Sequence, residues 1–448
     1  MSDLHPILLD RLNAALAPDL LPSFTPRDLR LPEVPGKIHA VTGMRRAGKT
    51  TYLRQLQAEQ RKGRPTERVL LLSFDDDRLA DLQSDQLALL LEAYYRRFPE
   101  TRGVHTVTWL LDEVQLVDGW ERFVRRVMDT EKVQVVVSGS SARMLSREVH
   151  TSLRGRGMET IVRPFSFREF LRHRGEEPAI EAAGWTSAQR SLVENRFDEY
   201  LGAGGFPESQ GVAAPIRTDL LQSYVDTVLF RDILERHRIS QVSALRWLIR
   251  QCLRNPGGLF SVHRLHLDLR AQGYGVAKDT LHAMIDQLLD AFVISALPLA
   301  TDSERQRNSN PRKIYPADPG LIAAFDSGGR SNVGHALETV VHIELLRRKA
   351  EQGYVKTPSG YEVDFLARYP GAAPDLIQVC ADPTDPGTLQ RELRALADAA
   401  IDHPRAQRRL LVLTRDQARA VAAPSVQVQP AYEWLLDPPA SALDDGSR

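Results

Sequence analysis

The sequence predicts an α/β protein organised around a parallel sheet, and three stretches carry that reading. Lys37–Thr42 is a β-branched, half-apolar strand that runs into a glycine-spaced loop and then a helical period beginning at Leu53 and Leu56. Val107-Thr108-Trp109-Leu110-Leu111 is an apolar run that ends in Asp112-Glu113, and Val133–Val137 is another that ends in Ser138-Gly139-Ser140-Ser141. Short apolar strands alternating with helical patterns mark a parallel sheet, whose strands are buried on both faces. At 448 residues the chain exceeds one ordinary core, so two or three domains are expected.

The loop after the first strand reads Gly43-Met44-Arg45-Arg46-Ala47-Gly48-Lys49-Thr50, the G-x-x-x-x-G-K-[ST] pattern in its strand–loop–helix setting. Glycines let the backbone curl until its N–H groups and the helix N-terminus face phosphates. Lys49 supplies the point charge for the β- and γ-phosphates, and the Thr50 hydroxyl an oxygen for Mg²⁺. Gly43, Met44, Arg45, Arg46, Ala47, Gly48, Lys49, Thr50 and Thr51 are therefore the candidate residues for binding ATP, with Mg²⁺ as its companion cation. On the second strand end Asp112 is assigned to the metal, and Glu113 to polarising the attacking water. On the third, Ser138 or Ser140 is placed to sense the γ-phosphate. A serine nucleophile is set aside because the chain has no G-x-S-x-G elbow.

Leu153-Arg154-Gly155-Arg156-Gly157 presents a glycine-spaced arginine pair. It suits delivery of positive charge to a neighbouring subunit's transferring phosphate, and equally a solvated surface turn. Asp75-Asp76-Asp77 closes the strand Val69–Phe74; neighbouring side chains of an extended run point opposite ways, so the three cannot share one metal and a solvated strand end is expected.

Charge narrows the partners. Lys+Arg and Asp+Glu balance at 58 each, so a nucleic-acid surface must be a local patch. Cys252 and Cys380 are too few and too far apart for a disulfide framework or a zinc site, which with the lack of a signal peptide points to the cytoplasm. No apolar run has the length to cross a bilayer, so no membrane partner is expected.

From Val242 to Phe325 the pattern is helix, helix, helix and then a strand pair, Val293–Leu299 and Lys313-Ile314-Tyr315, the order of a winged helix. The polar wing between the strands carries Arg305, Arg307, Arg312 and Lys313, and Lys278 opens the third helix. A winged helix puts its third helix in a DNA groove and its wing on phosphates, so these five are the candidate DNA contacts; the same module also serves for protein contact. The last domain runs from a helix with Glu338, through the strands Gly353–Lys356, Tyr361–Ala367 and Leu376–Cys380, to a helix near Thr388–Ala400 and a strand at Leu410–Thr414. That order resembles the restriction-endonuclease-like PD-(D/E)XK nucleases. Their third strand needs an acid, a spacer and a lysine, where this chain has Gln378-Val379-Cys380. Glu338 and Asp364 retain only a weak capacity for Mg²⁺, and a degenerate nuclease fold used for binding or assembly is expected.

The whole set of motifs resembles the bacterial and archaeal AAA-type ATPases (AAA+) that carry a conserved C-terminal domain of unknown function. To the residues above it adds Ser73-Phe74-Asp75-Asp76, Leu111-Asp112-Glu113-Val114-Gln115, Pro164-Phe165-Ser166-Phe167-Arg168-Glu169-Phe170 and Gly204-Gly205-Phe206-Pro207-Glu208. The resemblance implies a homo-oligomer, a ring or hexamer, with Arg154 and Arg156 acting in trans. It also implies that Gly205 and Pro207 close over the nucleotide from a helical lid. The expected domains are an ATPase core at 1–185, the lid at 186–240, the winged helix at 241–325, the nuclease-like domain at 326–436 and a disordered tail at 437–448. The expected function is ATP hydrolysis coupled to DNA binding, remodelling or translocation. The alternatives are a signalling or defence switch that recruits a protein partner, and an ATP-gated nuclease.

Overall fold

Every residue of Val107–Asp112 and of Ile38–Thr42 is buried. A strand with no solvent face must be covered by helices on both sides, which favours parallel pairing. The computed structural model describes residues 4–17, 23–32, 34–79, 82–139, 155–235, 241–326 and 333–437. In it five strands form that sheet: β1 (Ile38–Thr42), β2 (Val69–Ser73), β3 (Val107–Asp112), β4 (Val133–Ser138) and β5 (Gly157–Ile161). Their order is β2-β3-β4-β1-β5, with all pairs parallel. The two faces follow from alternation along each strand. Trp109, Leu111, Val135 and Val137 pack with Leu8 and Leu12 of α1 (Pro6–Leu16), Leu90 and Tyr94 of α3 (Ser84–Arg97), and Phe123 and Val124 of α4 (Trp120–Thr130). Leu110, Val136 and Val41 face Tyr52 and Leu53 of α2 (Lys49–Arg61). Because β4 lies between β3 and β1, the three strand ends that carry chemistry are neighbours.

Asp76 is not the solvated residue expected: its carboxylate is nearly buried, 2.8 Å from both Arg11 and Arg78, which hold it well below the usual carboxylate range.

The chain divides into two compact units, Met1–Arg163 with Asp290–Phe292, and Pro164–Leu289 with Val293–Arg448. The boundary expected after residue 185 thus falls at Arg163, and the reason is the aromatic run that follows. Phe165, Phe167 and Phe170 pack with Phe197, Tyr200, Tyr432 and Trp434, in the same core that holds Leu297, Tyr315, Leu337, Tyr354 and Phe365. That one core also spans the boundaries expected at 240 and 325.

Within the second unit, α5 (Phe167–His173) starts at a capping box formed by Ser166 and Glu169. There follow α6 (Ser187–Ala203), α7 (Ala214–Thr227) and a π-helical turn at Val228–Leu234. Next come α8 (Val242–Arg254), α9 (Val262–Ala271) and α10 (Lys278–Asp290). Beside them β6 (Leu259–Phe260), β7 (Ile294–Leu297) and β8 (Arg312–Pro316) form an antiparallel sheet in the order β6-β8-β7. The stretch read as a wing contains a short helix, α11 (Glu304–Ser309). After α12 (Pro319–Phe325) and α13 (Val333–Arg347), β9 (Glu351–Lys356), β10 (Glu362–Arg368) and β11 (Asp375–Val379) pair antiparallel. The strands β12 (Gln407–Val412) and β13 (Gln427–Pro430) then extend β11 in parallel.

A buried acid sets the turn at Gly204-Gly205. Asp318, fully buried, accepts the N–H of Gly205 at 2.7 Å and that of Gly320 at 2.9 Å. Gly204 has φ 74°, and a Cβ there would lie 1.8 Å from Asp318 Oδ1, so only glycine fits. Burial pushes the Asp318 carboxyl up to about 7, against the pull of the two N–H groups. An acid raised on folding binds more protons folded than unfolded, so its contribution to stability falls as pH rises from about 4 to about 7. Asp318→Asn removes that dependence. Relative to the parental chain, the variant should gain on the order of 4 kcal/mol across this window, read from urea unfolding at pH 4.5 and 8. A stability difference that does not change with pH would sink this account of Asp318.

Candidate nucleotide site

The site is assembled where β1, β4 and β3 end side by side. The loop after β1 turns through Gly43 at φ 138°, Arg46 at φ 65° and Gly48 at φ 100°, and α2 begins at Lys49. Lys49 is buried, and its ammonium donates to the carbonyls of Gly43 at 2.9 Å and Met44 at 3.2 Å. Met44 and Ala47 anchor the loop with buried side chains, whereas Thr50 and Thr51 lie at the exposed start of α2.

Asp112 ends β3 with its carboxylate 2% exposed and both oxygens engaged. Thr50 Oγ1 donates to Oδ2 at 2.9 Å, and the Ser138 hydroxyl donates to Oδ1. Ser138 Oγ also accepts the Glu113 N–H at 3.1 Å. Ser138 therefore holds the Asp112 carboxylate and the Glu113 main chain. Glu113 sits in the left-handed region at φ 53°, which turns its side chain out of the strand direction, and Gln115 Nε2 donates to its Oε2.

These residues fit a nucleoside triphosphate with Mg²⁺. A helix N-terminus behind a loop with three left-handed residues presents main-chain N–H groups to phosphate, and Lys49 adds a cation. The hydroxyl of Thr50 and the carboxylate of Asp112, already in contact, are the hard oxygen donors that Mg²⁺ takes. Neither cysteine competes as a nucleophile, since burial pushes Cys252 up to about 12 and Cys380 up to about 11.

The family model described as "AAA domain" matches residues 35–171, the stretch that holds this site, and a "Domain of unknown function (DUF8612)" matches residues 194–331. Residues 35–171 therefore resemble the AAA-type ATPases. Among its relatives is the uncharacterized protein MJ1544 of Methanocaldococcus jannaschii, 28% identical over 401 residues, covering 88% of this chain and 85% of that one. An uncharacterized protein of Haemophilus influenzae is 27% identical, covering 74% of this chain and 79% of its own length. The solved Walker-type ATPase PABY2304 of Pyrococcus abyssi aligns with a TM-score of 0.43 at 13% identity, over 64% of this chain and 90% of that one.

Ser140, Arg154, Arg156, Gly205 and Pro207 are also expected at the nucleotide site. Ser140 and Arg154 fall outside the described residues. Arg156 is half-exposed and ion-paired with Asp129 on the surface of the first unit. Gly205 and Pro207 belong to the second unit, where the Gly205 N–H is held by Asp318 and its carbonyl accepts the Phe165 N–H at 2.7 Å. The polar backbone groups of Gly205 are therefore both occupied by protein.

Of the expected DNA contacts, Lys278, Arg305 and Arg312 are exposed. Arg307 is half-buried and donates to the Thr301 carbonyl at 3.0 Å. Lys313 is not on the surface at all. It is 2% exposed, and its ammonium lies 3.1 Å from Glu338, 3.1 Å from Asp364 and 2.8 Å from Glu362. Adjacent residues of a strand face opposite sides, so Arg312 turns out and Lys313 turns in. Burial works against its charge, but Asp364, Glu338 and Glu362 together hold Lys313 well above the ordinary lysine range. Burial and Asp364 in turn push Glu338 up to about 7, while Lys313 and Tyr315 pull it down. Lys313 thus occupies the acid pair that a nuclease would give to a metal. The one sign in the sequence is its place directly before the apolar Ile314-Tyr315.

Removing one member of a buried ionic cluster strands the rest. Lys313→Ala should therefore cost about 3–5 kcal/mol at pH 8, and less at pH 5 where the stranded Glu338 takes up a proton. Arg312→Ala should stay within about 0.5 kcal/mol of the parental chain. Urea unfolding of the two variants checks the contrast.

Proposed function

We propose that the AAA domain binds and hydrolyses ATP, and that the second unit engages a macromolecular partner according to the nucleotide state. The observation that supports hydrolysis is the chain of contacts from Thr50 through Asp112 to Ser138, with Glu113 beside it. Thr50 and Asp112 would hold Mg²⁺, which when bound neutralises phosphate charge. Lys49 exchanges its loop carbonyls for phosphate oxygens. Glu113, steadied by Gln115, accepts a proton from the attacking water. Arg154 and Arg156 serve a neighbouring subunit in an oligomer, a ring such as a hexamer. For Arg156 this means leaving Asp129, a step of about 0–1 kcal/mol for a surface pair.

The second unit works by binding rather than cutting. Its third strand offers Gln378, whose amide is spent on Glu392 and on the Asp364 N–H, and Lys313 already neutralises Glu338 and Asp364. A protein partner is the better fit, because α10 exposes Asp279 and Asp286 as well as Lys278, and two of the five expected basic contacts are engaged within the protein. The winged-helix order of α8–β8 and the exposed Lys278, Arg305 and Arg312 support DNA as a second reading. Buried, unpaired cysteines agree with a reducing compartment, the cytoplasm. Among the described residues no helix is long and apolar enough to cross a membrane.

Lys49→Ala should lose ATP binding. Glu113→Gln should keep ATP binding and lose turnover by about 100-fold or more, because an amide cannot take the water's proton. Parental turnover in Glu113→Gln would remove the water-activating role. The partner is tested by turnover with and without duplex DNA. If DNA stimulates it, and replacing Arg305 and Arg312 by Ala abolishes the stimulation and flattens the log–log salt slope by about 2, the second reading stands and the protein-partner reading falls.

A further inference from the structure

The stretch that precedes β1 carries a buried cation whose partners point to the nucleotide loop. Arg27 is 6% exposed, and a guanidinium at that depth costs several kcal/mol unless acceptors meet it. Its Nη2 donates to the carbonyl of Ala47, inside the loop, and at 3.1 Å to the carbonyl of Arg163. Its own main chain is fixed twice over by Gln55 of α2. The Arg27 N–H donates to Gln55 Oε1 at 2.8 Å, and the Arg27 carbonyl accepts from Gln55 Nε2 at 3.4 Å. Gln55 is itself buried, and Tyr52, one turn earlier, donates to the Leu29 carbonyl at 3.2 Å.

The other end of the loop is seated on the same piece of chain. A Cβ on Gly43 would lie 2.1 Å from the Val162 carbonyl oxygen, and the Val162 N–H donates to Thr42 at 2.8 Å. Residues 162–163 therefore receive the loop at Gly43 by close packing and at Ala47 through Arg27.

The consequence lies in one peptide plane. No peptide bond here is cis, so the Ala47 carbonyl and the Gly48 N–H point in opposite directions. By drawing that carbonyl towards itself, Arg27 turns the Gly48 N–H away, into the face of the loop that it does not cover. Gly48 is held in this orientation at φ 100°, where the plane would otherwise be free to flip. We propose that Arg27 is a positioning residue of the nucleotide site, one that aims the loop N–H groups by holding the Ala47 carbonyl against Arg163. This rests on the ATPase reading above.

The test is steady-state ATPase kinetics with ATP and ADP titrations on the parental chain, Arg27→Ala and Arg27→Lys. Loop N–H groups hold the phosphates equally before and during reaction, so their misalignment removes uniform binding and raises KM more than it lowers kcat. In Arg27→Ala the KM for ATP should rise about tenfold or more and ADP affinity should fall by a similar factor, with kcat within about threefold of parental. Arg27→Lys keeps the charge and loses the two-acceptor fork, so it should fall between the two. If Arg27→Ala does not fold, Arg27→Lys is read alone, and a KM within about twofold of parental overturns the proposal. Loss confined to kcat also overturns it. A parental chain that binds no ATP overturns the proposed function itself, whereas parental turnover with unaltered Arg27 variants overturns only this inference.

Discussion

Asp112 is the fixed point of the first unit. A carboxylate this deeply buried is tolerated only when its oxygens are matched, and the matching groups come from two other elements. Thr50 belongs to α2, Ser138 to β4 and the carboxylate itself to β3. Satisfying one charge therefore fixes the register of helix, loop and two strands, and it sets Glu113 beside them through the Ser138 hydroxyl. Parallel pairing makes this possible, since only parallel neighbours end at the same edge of a sheet.

The second unit obeys the same rule with different groups. Asp318 is matched by two backbone N–H groups, and Lys313 by three carboxylates. Each joins parts of the chain that would otherwise pass for separate domains. Asp318 ties the turn after α6 to the start of α12, and Lys313 ties β8 to α13 and β10. With the aromatic core that runs from Phe165 to Trp434, they account for a unit that does not break where lid, winged helix and nuclease-like fold were expected to meet.

What could be read from the sequence was what is local in it. The loop from Gly43 to Thr50 declares itself because phosphate binding needs contiguous residues, and Asp112 and Ser138 because a strand end is marked by where an apolar run stops. The strands of both larger sheets were legible for the same reason, apart from β5, where Gly157-Met158-Glu159-Thr160-Ile161 is no apolar run, and β13, where Gln427-Val428-Gln429-Pro430 offers a single apolar side chain. The partners of Arg27, Gly205 and Lys313 were not legible. The farthest of them lie 136, 113 and 51 residues away, and no periodicity encodes a contact at that range. Lys313 misled because a basic residue in a polar stretch reads as surface unless the face it occupies is known.

The aromatic core of the second unit has a bearing on how the chain is made. The sheet of the first unit has all its strands once Ile161 has been synthesised. Phe165, Phe167 and Phe170 are made next, yet Tyr432 and Trp434, which pack into the same core, come at the far end of the chain. At roughly 5–20 residues per second, that leaves a run of phenylalanines without its final cover for tens of seconds on the ribosome. Exposed aromatic surface of that duration is what chaperones bind, so the yield of the folded protein in a cell should depend on them for the second unit far more than for the first.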